Sequence, residues 1–285
     1  TTIDTFYTTS DGYLITPQTL EYGTGYSIVE VQAPYGYVLN SEPVYFDVTQ
    51  DGSAEESGIT VIEAVSYTHL RAHETVLDVT QDGSAEESGI TVIEVVRSNM
   101  AQKGTITVSK SGEVFTSVSE NNGMYQPVFA AQGLEGAVYE ITAAEDIYTL
   151  DGTLRASKGE VVDTITTGTD GTAKSKELYL GKYEVKEITA PYGMVLNDEI
   201  HAVELVYAGQ NIAVTETETS FYNERQRVEI DLVKSLETDE AYGVGNNGEI
   251  FDVTFGLYAE TALTAADGTV IPADGLIEII SLDEN

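Results

Sequence analysis

The chain has 285 residues, with no cysteine, no tryptophan, and 48 acidic against 13 basic side chains, for a formal net charge of −35. Such a charge repels phosphate backbones and anionic lipids, which excludes nucleic acid and membrane surfaces as partners. Without cysteine there are neither disulfides nor thiolate metal sites, and no apolar run approaches the ~20 residues of a membrane helix.

The first residues, "TTIDTFYTTSDGYLI", show no basic start and no apolar block, so no signal peptide is expected within them. Export would imply cleavage from a longer precursor. From there on the chain reads as β nearly throughout. Val, Ile, Thr and Tyr alternate with polar residues in short runs, separated by Asp-Gly turns at 11–12, 51–52, 82–83, 151–152, 170–171 and 267–268. This spacing predicts β-sandwiches in series.

Residues 26–40, "YSIVEVQAPYGYVLN", return at 183–197 as "YEVKEITAPYGMVLN". Ala-Pro-Tyr-Gly is expected to form a type I turn, with Pro at its second position. In the strand before it, Tyr26, Ile28 and Glu30 share one face, as do Tyr183, Val185 and Glu187. Each copy therefore sets a glutamate among core-facing residues.

Residues 47–65 recur at 78–96 with a single difference, Ala64 against Val95. Between them, "SYTHLRAHETVL" (66–77) holds His69 and His73. A zinc-protease motif fails there because Leu77 stands where the second histidine is needed. The segment resembles a translated sequencing adapter and is read as a non-native insertion without function. The spacing agrees with this. Glu30 precedes Asn99 by 69 residues and Glu187 precedes Asn223 by 36; removing one 31-residue repeat from the first leaves 38.

In "GTITVSK" (104–110), Ile106, Val108 and Lys110 share the apolar face, so a lysine ends a core stripe. The polar, glycine-containing stretch 111–128 is expected to be a long surface loop. Asn99 precedes Lys110 by eleven positions, and Asn223 precedes Lys234 by the same eleven. Val228, Ile230, Leu232 and Lys234 would again align on one strand face. Taken singly, such a lysine is a snorkelling edge residue, such a glutamate a rim residue and such an asparagine a turn former. Together they run Glu30, Asn99, Lys110, Glu187, Asn223, Lys234, a Lys–Glu–Asn cycle entered and left partway.

This order resembles the Cna B-type (SpaA-type) prealbumin-like domains of Gram-positive surface proteins and pilins. "GLEGAVYEITAAEDI" (133–147) and "VTFGLYAE" (253–260) are similar to that family's core strand and the segment after it. The resemblance implies an all-β, Ig-like sandwich and a self-formed Lys–Asn isopeptide bond promoted by a glutamate. Lys110, Glu187 and Asn223 would make the complete set. Glu30 with Asn99, and Lys234, would be halves of sets in incomplete domains. Met194 stands where the family motif closes with Tyr, which Tyr37 keeps.

Physical chemistry supports the same reading. Burial favours the neutral forms of lysine and of glutamate. A neutral Lys110 amine is a nucleophile, and a protonated Glu187 would bond the Asn223 carboxamide oxygen and pass protons to departing ammonia.

The cycle implies residues 1–102 as the C-terminal part of one domain, with the insertion near 64–95. It implies 103–226 as a complete domain and 227–285 as the start of a third. The expected role is a stalk segment of a cell-wall-attached, extracellular surface protein or pilin; the alternative is an adhesin whose loops grip a host matrix protein or glycan. Neighbouring domains are the expected partners, with sortase, other pilin subunits and host molecules beyond them. Neither cofactor nor metal nor turnover of an external substrate is expected.

Overall fold

The computed structural model describes residues 2–10, 12, 20–21, 23–48, 64–65, 98–246 and 248–281. The 66–77 segment, read above as an insertion, with His69 and His73, the second repeat copy and most of the first lie outside them. The chain divides into two compact units, Thr1–Gln102 with Ala208–Ala213, and Lys103–Tyr207 with Val214–Asn285.

The first unit holds β1 (Gly23–Ile28), β2 (Val44–Val48) and β3 (Ala64–Val65), antiparallel in that order. Ile28 stands opposite Val44, which is buried.

The second unit begins with β4 (Lys103–Asn121) and β5 (Met124–Gly133), then β6 (Val138–Ala143), β7 (Ile147–Tyr148), β8 (Leu154–Ala156) and β9 (Val161–Thr166). β10 (Thr172–Lys174), β11 (Leu178–Tyr179), β12 (Gly181–Thr189), β13 (Ile200–Leu205) and β14 (Val214–Asn223) come next. After a 3-10 turn at Glu249–Asp252 come β15 (Thr254–Tyr258), β16 (Leu263–Thr264), β17 (Val270–Ile271) and β18 (Leu276–Ser281).

Two sheets build the sandwich. One runs β13-β12-β6-β9. The other centres on β4, whose first half pairs β14 in parallel on one side and β10 and β11 on the other. Period-two alternation drives the packing. Ile106 and Val108 of β4 are fully buried, with Tyr139 and Ile141 of β6, Tyr183 and Val185 of β12 and Phe221 of β14 in the same cluster. This is the all-β sandwich expected from the alternation.

Three local expectations need correction. Residues 111–128 are not a loop: β4 continues to Asn121 and pairs β5 as a hairpin. Asn122 and Gly123 both have positive φ, 52° and 80°, the geometry of a two-residue type I′ turn. Polar composition masked the apolar and β-forming Val114, Phe115, Val118, Val128 and Phe129. Residues 228–234 form no strand, and Val228, Ile230 and Lys234 are exposed. An apolar stripe without a facing sheet has nothing to bury it. Beyond it, β18 joins β5 at Leu276 and Met124.

Finally, the repeated turn starts one residue later than expected. Tyr37 N–H donates to Pro34 O and Met194 N–H to Pro191 O, both at 3.1 Å, so Pro is the first residue. Gly36 (φ 81°) and Gly193 (φ 77°) occupy the third position, the requirement of a type II turn.

Candidate functional site

Lys110 is held at both backbone groups. Its N–H donates to Gly171 O at 2.7 Å, and its carbonyl accepts from Leu134 N–H at 3.0 Å. Gly171 has φ 77°, and a Cβ there would lie 2.5 Å from the Lys110 oxygen, so this clamp requires glycine. The side chain follows Ile106 and Val108 into the core.

Glu187 comes from the facing sheet, opposite Tyr139 and in line with Tyr183 and Val185. Asn223 ends β14, beside β4. Lys110 Nζ and Glu187 Oε1 are 3.0 Å apart, with both side chains fully buried. Lys110 Nζ also donates to Asn223 Oδ1. Asn223 Nδ2 donates to both Glu187 oxygens, at 3.1 and 3.0 Å. The three groups thus form a closed triangle.

Here the geometry departs from the expectation that Glu187 bonds the carboxamide oxygen. A carboxylate only accepts, so it takes the amide nitrogen, while the ammonium donates to the oxygen. Burial lowers the Lys110 pKa below 10.5; the neighbouring Glu187 opposes this but does not outweigh it.

Aromatic walls complete the enclosure. Lys110 Nζ lies 5.9 Å from the Tyr139 ring centre and 5.7 Å from that of Phe221. His201 stacks on Phe221, with ring centres 3.9 Å apart. The Tyr139 hydroxyl is buried and, among the described residues, has no partner in hydrogen-bonding geometry, although Glu187 lies close enough to act on it. Burial raises its pKa, and the nearby Glu187 charge raises it further.

Sequence reasoning missed one contributor. Asn197 N–H donates to Glu187 Oε2 at 2.8 Å, while its side-chain Nδ2 donates to Tyr222 O at 3.0 Å. It ties the carboxylate to the strand that carries Asn223. The signal was in the repeat, whose closing Val-Leu-Asn sets an asparagine ten residues after each glutamate.

In the first unit, Asn99 Nδ2 donates to Glu30 Oε2 at 2.7 Å, and Asn40 N–H donates to the same oxygen at 2.8 Å. Glu30 and Asn99 are only half-buried, and residues 1–102 contain no lysine. Lys234 is solvent-exposed.

The family described as "SpaA: Prealbumin-like fold domain" matches residues 1–61 and 130–220, more than half of the sequence. The chain belongs to this family. Solved structures with likeness to this SpaA-type chain include the Bacillus anthracis TIE protein, at 22% identity over 47% of this chain and 20% of that one, with a TM-score of 0.27. They also include GBS52, the minor pilin of Streptococcus agalactiae, at 16% identity over 47% and 49%, TM-score 0.29. A third is the full-length major pilin SpaD from Corynebacterium diphtheriae, at 22% over 44% and 30%, TM-score 0.28. The chain spans between a fifth and a half of the length of these three structures. No curated protein matches the sequence significantly.

Proposed function

We propose that the chain is a stalk segment of a Gram-positive surface protein or pilus, stiffened by an isopeptide bond between Lys110 and Asn223. The observation that carries this reading is the buried triangle, with Lys110 Nζ 3.0 Å from Glu187 and in contact with the Asn223 carboxamide. A salt bridge this deep costs several kcal/mol of desolvation per ion. Converting the amine and carboxamide into an amide removes one of those charges.

The reaction follows from the contacts. Lys110 passes a proton to Glu187 Oε1 and becomes a neutral amine. Its lone pair attacks Asn223 Cγ, forming the new C–N bond. Glu187 also touches Nδ2, the leaving nitrogen, so it delivers its proton there. The Cγ–Nδ2 bond breaks, and ammonia departs as the attacking nitrogen loses its second proton through Glu187. Nothing is oxidised or reduced. Proximity and exclusion of water lower the barrier, and the event occurs once per molecule.

The bond would carry tension between β4 and β14 past the strands lying between them in sequence. Glu30 and Asn99 would act in the same way on a lysine from another strand, and Lys234 on a glutamate and asparagine brought to it. The cell-wall location, and sortase or further pilin subunits as partners, belong to this proposal. A loop-mediated adhesin is the alternative.

Intact mass tests the bond. The purified chain should be one ammonia lighter than its sequence, with a linked peptide containing Lys110 and Asn223. Lys110→Ala and Glu187→Ala should each restore the full mass. An unmodified mass in folded wild-type protein rejects the bond.

A further inference from the structure

We propose that the 190–196 turn, together with Gln226, is a socket for the loop between the last two strands of another SpaA-type module. The first unit already holds such a loop. Gln102 is fully buried; its Nε2 donates to Gly209 O at 2.9 Å and to Ile212 O, and its Oε1 accepts from Ala208 N–H at 2.8 Å. Ala33 N–H donates to Gln210 Oε1 at 2.9 Å, and Leu39 N–H to Gln210 O at 2.8 Å. Segment Ala208–Ala213 is thus gripped by one glutamine and the two flanks of the Ala-Pro-Tyr-Gly turn.

The second unit repeats the gripping half. Gln102 N–H donates to Gly36 O and Gln226 N–H to Gly193 O, both at 2.8 Å. Val38 N–H donates to Met100 O, and Val195 N–H to Glu224 O. Tyr37 bridges Ala101 as Met194 bridges Arg225. Both glutamines follow the site asparagine by three positions, in Asn99-Met-Ala-Gln102 and Asn223-Glu-Arg-Gln226. Ala190, Leu196 and Gln226 therefore stand where Ala33, Leu39 and Gln102 stand.

The occupancy differs. Among the described residues, the Gln226 carboxamide and the Ala190 and Leu196 N–H groups have no hydrogen-bond partner. Gln226 is exposed where Gln102 is fully buried, and Leu196 is 47% exposed. Beside them opens a groove of about 450 Å³, lined by Pro191, Met194, Phe129 and Arg225 among others. Open donors and a free carboxamide in the pattern that grips Ala-Gly-Gln-Asn-Ile-Ala call for a segment of that kind: a glycine-containing bend with two inward carbonyls and a glutamine. The inference rests on the reading of the protein as tandem modules, not on the isopeptide bond.

The probe is a cyclic peptide of sequence Val-Tyr-Ala-Gly-Gln-Asn-Ile-Ala-Val-Thr, residues 206–215, added to the full chain and read by amide hydrogen exchange. At a concentration about four times its Kd, exchange at Ala190 and Leu196 should slow about fivefold. The effect should vanish in Gln226→Ala and with a scrambled peptide. In the absence of peptide, Gln102→Ala and Gln102→Glu should accelerate exchange at Ala33 and Leu39. Unchanged exchange at Ala190 and Leu196, equal protection in Gln226→Ala, or equal protection by the scrambled peptide overturns the socket. So does unchanged exchange at Leu39 in both Gln102 variants. Because the mass of the chain is read separately, a missing isopeptide bond and an empty socket remain distinct failures.

Discussion

Asn223 faces Gly112, not Lys110, across the parallel β4–β14 ladder; Lys110 stands opposite Phe221. The lysine therefore reaches two residues along its own strand to meet the carboxamide. Gly112 makes room for this. A Cβ at that position would lie 2.6 Å from the Asn223 carbonyl oxygen and 2.7 Å from a Leu134 methyl. Gly112→Ala should therefore push β14 away, costing about 1–3 kcal/mol by overpacking. It should also leave a measurable fraction of the chain at full mass. Urea denaturation and intact mass spectrometry check the two effects together; wild-type values for both would show that the strands can shift freely.

The cross-link itself carries a stability expectation. Lys110 and Asn223 are 113 residues apart in sequence. Closing a loop of that size should stabilise the fold by about 4–5 kcal/mol, if the chain-entropy relation for disulfides applies to an amide. Lys110→Met keeps the apolar stem, removes the amine, and should lose about that much in urea. A loss below about 1 kcal/mol would mean that no covalent link existed to lose.

Lys110 also sets a pH dependence in protein that cannot cross-link. In Asn223→Ala the amine survives, and burial keeps its folded-state pKa below 10.5. The unfolded chain then binds more protons than the folded one between the lowered value and 10.5. Stability should rise with pH across that window and level off above it. Urea midpoints measured from about pH 7 to 10 read this directly. A midpoint that falls with rising pH would show that Glu187 holds the proton on the amine.

The unpartnered Tyr139 hydroxyl predicts an unusual neutral substitution. An unsatisfied buried hydroxyl costs about 1–3 kcal/mol, so Tyr139→Phe should match or exceed wild-type stability by up to that amount. A loss greater than about 1 kcal/mol would reveal a hydrogen bond to Glu187 that the folded state relies on.

Asn197 tests the support of the carboxylate. Asn197→Ala keeps the backbone N–H on Glu187 but loses two side-chain bonds, the one donated to Tyr222 O and the one accepted from Glu199 N–H. It should cost about 1–3 kcal/mol, the typical net value of two hydrogen bonds, and slow the appearance of the ammonia-deficient mass during refolding. An unchanged rate would confine Asn197 to a structural role.

Much of this protein was legible in its residues. Strict alternation in Ile106-Thr-Val108-Ser-Lys110 and in Tyr183-Glu-Val185-Lys-Glu187 assigned each polar side chain to a core face, because strand periodicity is two and admits no other register. The repeated Glu and the eleven-residue Asn–Lys spacing tied the three together before any contact was known. Asn122-Gly123 also announced a hairpin, but the polar residues around it pointed to a loop; neither face of that ribbon is deeply buried, so its alternation is weak. Other features depend on distance between chain-remote atoms. Local pattern says nothing of which carboxamide atom meets the carboxylate, of Gly171 closing on the Lys110 carbonyl, or of Gln102 gripping a loop 106 residues away in sequence. Those contacts arise only when segments remote in sequence pack together, and packing is a property of the assembled chain.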